Sequence, residues 1–198
     1  RGFGRPDSRT RCRTHAARSQ SLRSPAPHFL YPRATLYGTE MEHDVVARAK
    51  PGESVLLSEC YASIQGESTL VGTPTIFVRL YTCNLRCAWC DSMHAVEGGE
   101  YRDVRVVDLV SDIERLANAV TGGTRHGISH ICWTGGEPLL QWKSIARAID
   151  LLPDYFVQTI ETDGEVDLAP FDGSVAAHRA TGRVRYIMDI KCPGSGMT

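Results

Sequence analysis

The sequence predicts an α/β fold built on a parallel sheet, and three observations carry that reading. Short β-prone runs alternate with stretches of helical periodicity through the last three quarters of the chain. Four of the runs lead at once into a compact motif: CNLRCAWCDS, TGGEP, ETDG or KCPGSG. In sheets wound this way ligands bind beyond the carboxyl ends of the strands, so four motifs in equivalent places predict one pocket. A hydrophobic content of 42% and an aromatic content of 8% are ordinary for a packed domain of this size.

The elements can be taken in order. Residues 1–40 are rich in Arg, Ser and Pro and lack apolar periodicity, so they read as a disordered basic extension. Residues 1–33 hold eight arginines against one acid, Asp7, which leaves the body of the chain mildly acidic. Three explanations stay open: a nucleic-acid arm, an organelle transit peptide, or sequence upstream of a natural start at Met41. The last is preferred, because patterned sequence begins just after Met41. Residues 41–198 then form a single folded domain. Val55 to Ala62 alternates as a first strand, 63–72 is a polar loop, and Thr75 to Leu80 is a second strand. Val106, Val107, Val110, Ile113, Leu116, Ala117 and Val120 recur at helical spacing, with Asp103 as cap and Gly122-Gly123 as stop. Ile128 to Trp133 is a third strand. Pro138 starts a helix that runs to about Leu152. Tyr155 to Ile160 and Arg183 to Ile190 are the last two strands.

Composition excludes several classes. No apolar run is long enough for a membrane helix, and the acidic body has no basic stripe for nucleic acid. Seven cysteines are an odd number with three of them clustered, and no apolar-cored signal peptide occurs near the start. A reducing, cytoplasmic setting follows. Cys12, Cys60, Cys132 and Cys192 read as ordinary thiols.

The clustered three, Cys83, Cys87 and Cys90, have the spacing C-x3-C-x2-C. A structural zinc ion usually takes four protein ligands and a ferredoxin-type cluster four cysteines. Three thiolates without a fourth leave one iron of a 4Fe-4S cluster open for a small molecule. A zinc module and a simple electron carrier are the bland competitors.

This stretch resembles the radical S-adenosylmethionine (SAM) superfamily, including an aromatic residue, Trp89, before the third cysteine. The resemblance implies a partial (incomplete) parallel β/α barrel, with SAM chelating the open iron. It also implies SAM contacts from Trp89, Cys90, Asp91, Gly136, Glu137, Glu161, Thr162, Asp163 and, on weaker grounds, Lys191. The competing reading of GGEP is a plain strand–helix turn, and that of Asp163-Gly164 an Asp-Gly turn.

Read together, SIQGES, FVRL, CNLRCAWCDS and TGGEP resemble the 7-carboxy-7-deazaguanine synthase family over about residues 55–195. Ser68 and Ser92 stand where that family often has Gly and Thr. The implied reaction converts 6-carboxy-5,6,7,8-tetrahydropterin to 7-carboxy-7-deazaguanine with loss of ammonia, in queuosine and deazapurine biosynthesis. It makes the chain a lyase. Implied substrate contacts are Ile64, Gln65, Gly66, Glu67, Arg79 and Thr134, with Ser92 helping to bind magnesium. Arg79 has a competing role as a structural ion pair, and Ser92 as a loop-capping hydroxyl. Implied partners are a reducing protein such as flavodoxin or ferredoxin and a second copy in a homodimer. Family members continue past KCPGSG, so a C-terminal segment is expected to be missing. The rival within the superfamily is an activase that forms a glycyl radical on a partner protein, which has no need of SIQGE ahead of FVRL.

Overall fold

The second strand, β2 (Pro74–Leu80), shows how the sheet divides the molecule. Its alternation buries Ile76, Val78 and Leu80 completely on one face and sends Thr75, Phe77 and Arg79 to the other. A computed structural model describes residues 48–119 and 127–197, all within one compact unit, Ala34–Thr198. The expectations for residues 1–40, Cys12, Val120 and the Gly122-Gly123 stop lie outside the described residues.

On one side β2 pairs antiparallel with β1 (Ser54–Ile64), which pairs antiparallel with β3 (Arg102–Arg105). On the other it pairs parallel with β4 (His130–Gly135), followed by β5 (Val157–Thr162) and β6 (Val184–Met188), also parallel. Among the described residues the order is β3-β1-β2-β4-β5-β6, a six-stranded open sheet. The parallel sheet expected from the sequence is therefore mixed. Only residues 65–73 join β1 to β2, and they hold no crossover helix, so the chain simply reverses. β3 was not expected; it contains Asp103, which pairs with Leu56 and caps no helix.

The helices pack on one face. α1 (Val106–Ala119) buries Val106, Leu109, Val110, Ile113 and Ala117. The larger of these side chains contribute about 1.5–3 kcal/mol each on burial. After β4 the chain makes a 3-10 turn, Pro138–Gln141, before α2 (Trp142–Leu151), so the helix expected from Pro138 begins a turn later. Buried Gln141 exchanges hydrogen bonds with Leu56 and donates to the Tyr81 carbonyl, fixing that turn to β1 and to the end of β2. Two short helices, α3 (Ala169–Ser174) and α4 (Ala176–Ala180), lie between β5 and β6. Among the described residues no helix is long and apolar enough to cross a membrane.

β1 carries one irregularity that matters for the site. Leu57 is opposite Leu80 and Glu59 is opposite Arg79, so two steps on β1 match one on β2. This is a β-bulge. It reverses the inside–outside parity of the strand. Val55 and Leu57 join the helix-covered core, and beyond the bulge Cys60 and Ala62 do so instead. Glu59 and Tyr61 are thereby turned to the face that carries Arg79.

Candidate functional site

The three clustered cysteines sit on the loop that leaves β2. Thr82 opens the loop with φ 79°, a left-handed conformation that a β-branched residue adopts only under constraint. The constraint is visible: Thr82 donates its N–H to the Ala95 carbonyl (2.7 Å) and accepts from the Glu137 N–H (2.9 Å). Cys83 is buried, while Cys87 and Cys90 are half-buried. The Leu85 N–H donates to Cys83 Sγ (3.4 Å), and the Cys90 N–H to the Cys87 carbonyl (3.1 Å). Arg86 folds back over the loop, donating from Nη1 to the carbonyls of Cys83 and Leu85 and pairing through Nε with Glu97. The turn after β6 clasps the same loop: Ala88 N–H donates to the Ser195 carbonyl (2.9 Å), and a Cβ on Gly194 would touch the Trp89 ring at 3.1 Å. Burial pushes the Cys83 thiol up to about 12, and burial also raises that of Cys87.

These thiols line a cavity of about 520 Å³. It collects Gln65, Gly66, Glu67, Arg79, Cys83, Cys87, Trp89, Cys90, Asp91, Ser92, Thr134, Gly136, Glu161, Thr162, Asp163 and Lys191. Motifs far apart in the chain thus share one space. The four that follow parallel strands come from one end of the sheet. The SIQGE loop comes from the opposite end, because β1 runs antiparallel.

Two expected site residues do not line the cavity. Ile64, at the end of β1, is 56% exposed. Glu137 is fully buried behind the wall. Its carboxylate accepts from the Leu139 N–H (2.9 Å), the Thr162 hydroxyl (3.0 Å) and the Asp163 N–H (2.8 Å). Burial raises its pKa, with the charge of Asp163 adding to the effect while these donors oppose it. Glu137 joins the loop after β4 to the loop after β5. The two glycines before it answer to a neighbouring strand. A Cβ on Gly135, at φ +131°, would lie 2.1 Å from the Leu80 carbonyl oxygen, and one on Gly136 would lie 1.9 Å from that of Thr82. The expectation that they open space for a ligand is secondary to this contact.

Away from the cysteines the wall is polar and tightly bonded. Gln65 is buried; its Nε2 donates to Glu161 Oε1 (3.1 Å) and its Oε1 accepts from the Glu67 N–H (3.2 Å), which fixes the amide. Cys132 lies beneath it, 3.7 Å from Gln65 Nε2, its thiol raised chiefly by burial. Arg79 donates to Glu59, Ser92 and Tyr61, so the competing reading of it as an ion pair and its place on the cavity wall both hold. Ser92 in turn donates to Asp91 Oδ1 (2.9 Å). Lys191 pairs with Asp189. Burial works against its charge, but that bond and the neighbouring anions outweigh it, and its pKa rises.

Sequence reasoning missed Phe77, Asp189, Glu59 and Tyr61. Phe77 was within reach, since it lies two residues before Arg79 on the same face of β2. Glu59 and Tyr61 were not, because simple alternation from Leu57 puts them on the wrong face.

The donor set suits the groups that the motifs imply. Three thiols along one wall match a cubane that takes one thiolate per iron. Among the described residues no group of three or more His, Cys, Asp or Glu side chains is arranged to hold a metal ion. The Ser92 hydroxyl and Asp91 carboxylate offer the hard oxygens that magnesium prefers, beside the Arg79 cation, so such an ion would need anionic oxygens from a ligand as well.

Loop, cavity and strand order together describe an α/β protein in which three closely spaced cysteines share one cavity with the motifs that follow its parallel strands. No family model matches the chain. It is 39% identical to 7-carboxy-7-deazaguanine synthase from Koribacter versatilis over 141 residues, 71% of this chain and 54% of that protein. It is 35% identical to the synthase from Methanospirillum hungatei over 149 residues, 75% of this chain and 55% of that one. Over this segment the chain is a sequence relative of the 7-carboxy-7-deazaguanine synthases. It spans about half the length of these curated relatives. A crystal structure of QueE from Escherichia coli is 29% identical over 56% of this chain and 53% of that one, with a TM-score of 0.46.

Proposed function

We propose that the chain carries the catalytic core of a radical SAM lyase that converts 6-carboxy-5,6,7,8-tetrahydropterin to 7-carboxy-7-deazaguanine with release of ammonia. The observation that carries the reading is one cavity shared by the three cysteines and by Gln65, Glu67 and Arg79. The parallel run β2-β4-β5-β6, with helices on one face, supports reading the sheet as a partial β/α barrel. The named relatives are synthases of this kind and not activases, so the glycyl-radical alternative gains no support.

Cys83, Cys87 and Cys90 hold a 4Fe-4S cluster. When bound there, the cluster and SAM would supply one-electron radical chemistry at the substrate. The protein's part is to position both molecules. Trp89, Asp91, Gly136, Thr162, Asp163 and Lys191 line the SAM side, with Glu161 at its border and Glu137 holding the wall from behind. Gln65, with its amide fixed, reads the amino-pyrimidinone edge together with Gly66 and Glu67, while Thr134 and Ile64 shape the wall and lip. Arg79 pairs with the substrate carboxylate, for which a guanidinium fork is well matched. Ser92 helps to hold magnesium. A cytoplasmic setting, an electron donor such as flavodoxin or ferredoxin, a homodimer and a place in queuosine biosynthesis complete the proposal.

The test is an anaerobic assay of the reconstituted chain with SAM, dithionite and carboxytetrahydropterin, read by mass spectrometry. 7-Carboxy-7-deazaguanine should appear, and Arg79→Ala should lower its formation by about a hundredfold while uncoupled SAM cleavage persists. SAM cleavage with no deazaguanine product from the parent chain would overturn the proposal.

A further inference from the structure

We propose that Glu59 is a positioning residue for Arg79, set in place by the β1 bulge; the inference rests on the proposed role of Arg79 toward the substrate carboxylate. Every nitrogen of the Arg79 guanidinium is engaged. Nε donates to Glu59 Oε2 (2.8 Å), Nη1 to Ser92 Oγ (2.9 Å) and Nη2 to Tyr61 Oη (3.2 Å). A guanidinium has five N–H groups, one on Nε and two on each Nη. Three are used, which leaves one on each Nη. These two N–H groups are the donors left for a substrate carboxylate.

The Nε bond decides the plane in which that fork lies. It comes from Glu59 because two residues of β1 are matched to one of β2 between Leu57 and Glu59. Without the bulge, Glu59 would share the face of Leu57 and enter the apolar core, where a lone carboxylate is strongly disfavoured. Bulges beside active sites commonly re-aim a side chain in this way. The same Oε2 is 3.5 Å from Nε2 of His94, in the turn just after Ser92. One carboxylate therefore ties β1, β2 and the exit of the cysteine loop. The Glu59 side chain is 45% exposed, so solvent screens the attraction, and its contribution lies in orientation more than in stability.

The experiment uses the full reconstituted chain under anaerobic conditions. It measures the Kd for carboxytetrahydropterin, kcat and KM for product, uncoupled 5′-deoxyadenosine formation, and cluster absorbance. Glu59→Ala should raise Kd and KM about tenfold, with a smaller change in kcat and no change in cluster absorbance or uncoupled cleavage. Glu59→Gln keeps an acceptor for Nε and should stay within about threefold of the parent. In an Arg79→Ala background, Glu59→Ala should have no further effect. Parental Kd and KM in Glu59→Ala, loss of cluster in that variant, a defect in Glu59→Gln as large as in Glu59→Ala, or an undiminished effect without Arg79 would each overturn the inference alone. A parent chain that neither binds nor converts carboxytetrahydropterin would overturn the functional reading, and the inference with it.

Discussion

The two faces of one sheet obey opposite rules. On the helix-covered face, Ile76, Val78, Leu80, Ile131, Trp133 and Ile160 are fully buried and apolar. On the other, the same strands present Thr75, Phe77, Arg79, Cys132, Thr134 and Glu161, several of them linked by side-chain hydrogen bonds. One face gains its stability from non-directional burial and the other gains specificity from directed bonds. Changes on the first face should therefore appear as lost stability, and changes on the second as lost chemistry in a protein that still folds.

The largest expected effect breaks the cavity face alone. Cys87→Ala should abolish the brown cluster absorbance and SAM cleavage while circular dichroism stays native. A full cluster signal in that variant would remove the basis of the site. The next breaks the other face. Trp133→Ala empties a fully buried ring and removes the donor to Gln158 Oε1 (2.8 Å). Denaturant titration should show a loss of about 3–5 kcal/mol.

Glu137→Gln tests the seam between the faces. An amide cannot accept all three donors that the carboxylate holds, so a loss of about 1–3 kcal/mol is expected, with weakened SAM binding. Unchanged stability would show that the loops after β4 and β5 hold together without it. The smallest effect belongs to Cys132→Ala, on the cavity face directly beside Trp133. It should cost about 1 kcal/mol and leave the cluster intact, since only one sulfur is removed. A loss equal to that of Trp133→Ala would erase the contrast.

Much of this arrangement is legible in the chain. Five of the six strands and the two longer helices follow from periodicity, because burial on one face leaves a regular mark. The boundaries shift by one to a few residues, as for the fourth strand, expected at Tyr155–Ile160 and observed at Val157–Thr162. β3 and the helices α3 and α4 left no such mark. β3 is four residues long, and Ala169–Ser174 contains Pro170 and Gly173, so tertiary contacts rather than local preference hold them.

The sequence by itself determined the cysteine triad, the glycine pair before Glu137 and the polar ends of the parallel strands. These depend on residue type and short spacing, both local properties. Only the tertiary structure decided that β1 runs antiparallel, that SIQGE meets the cysteines from the opposite end of the sheet, and that Glu59 and Tyr61 face Arg79. The physical reason is register. A strand's faces alternate with every residue, so a single bulge at Leu57–Glu59 exchanges inside for outside, and nothing in the strand's composition announces it.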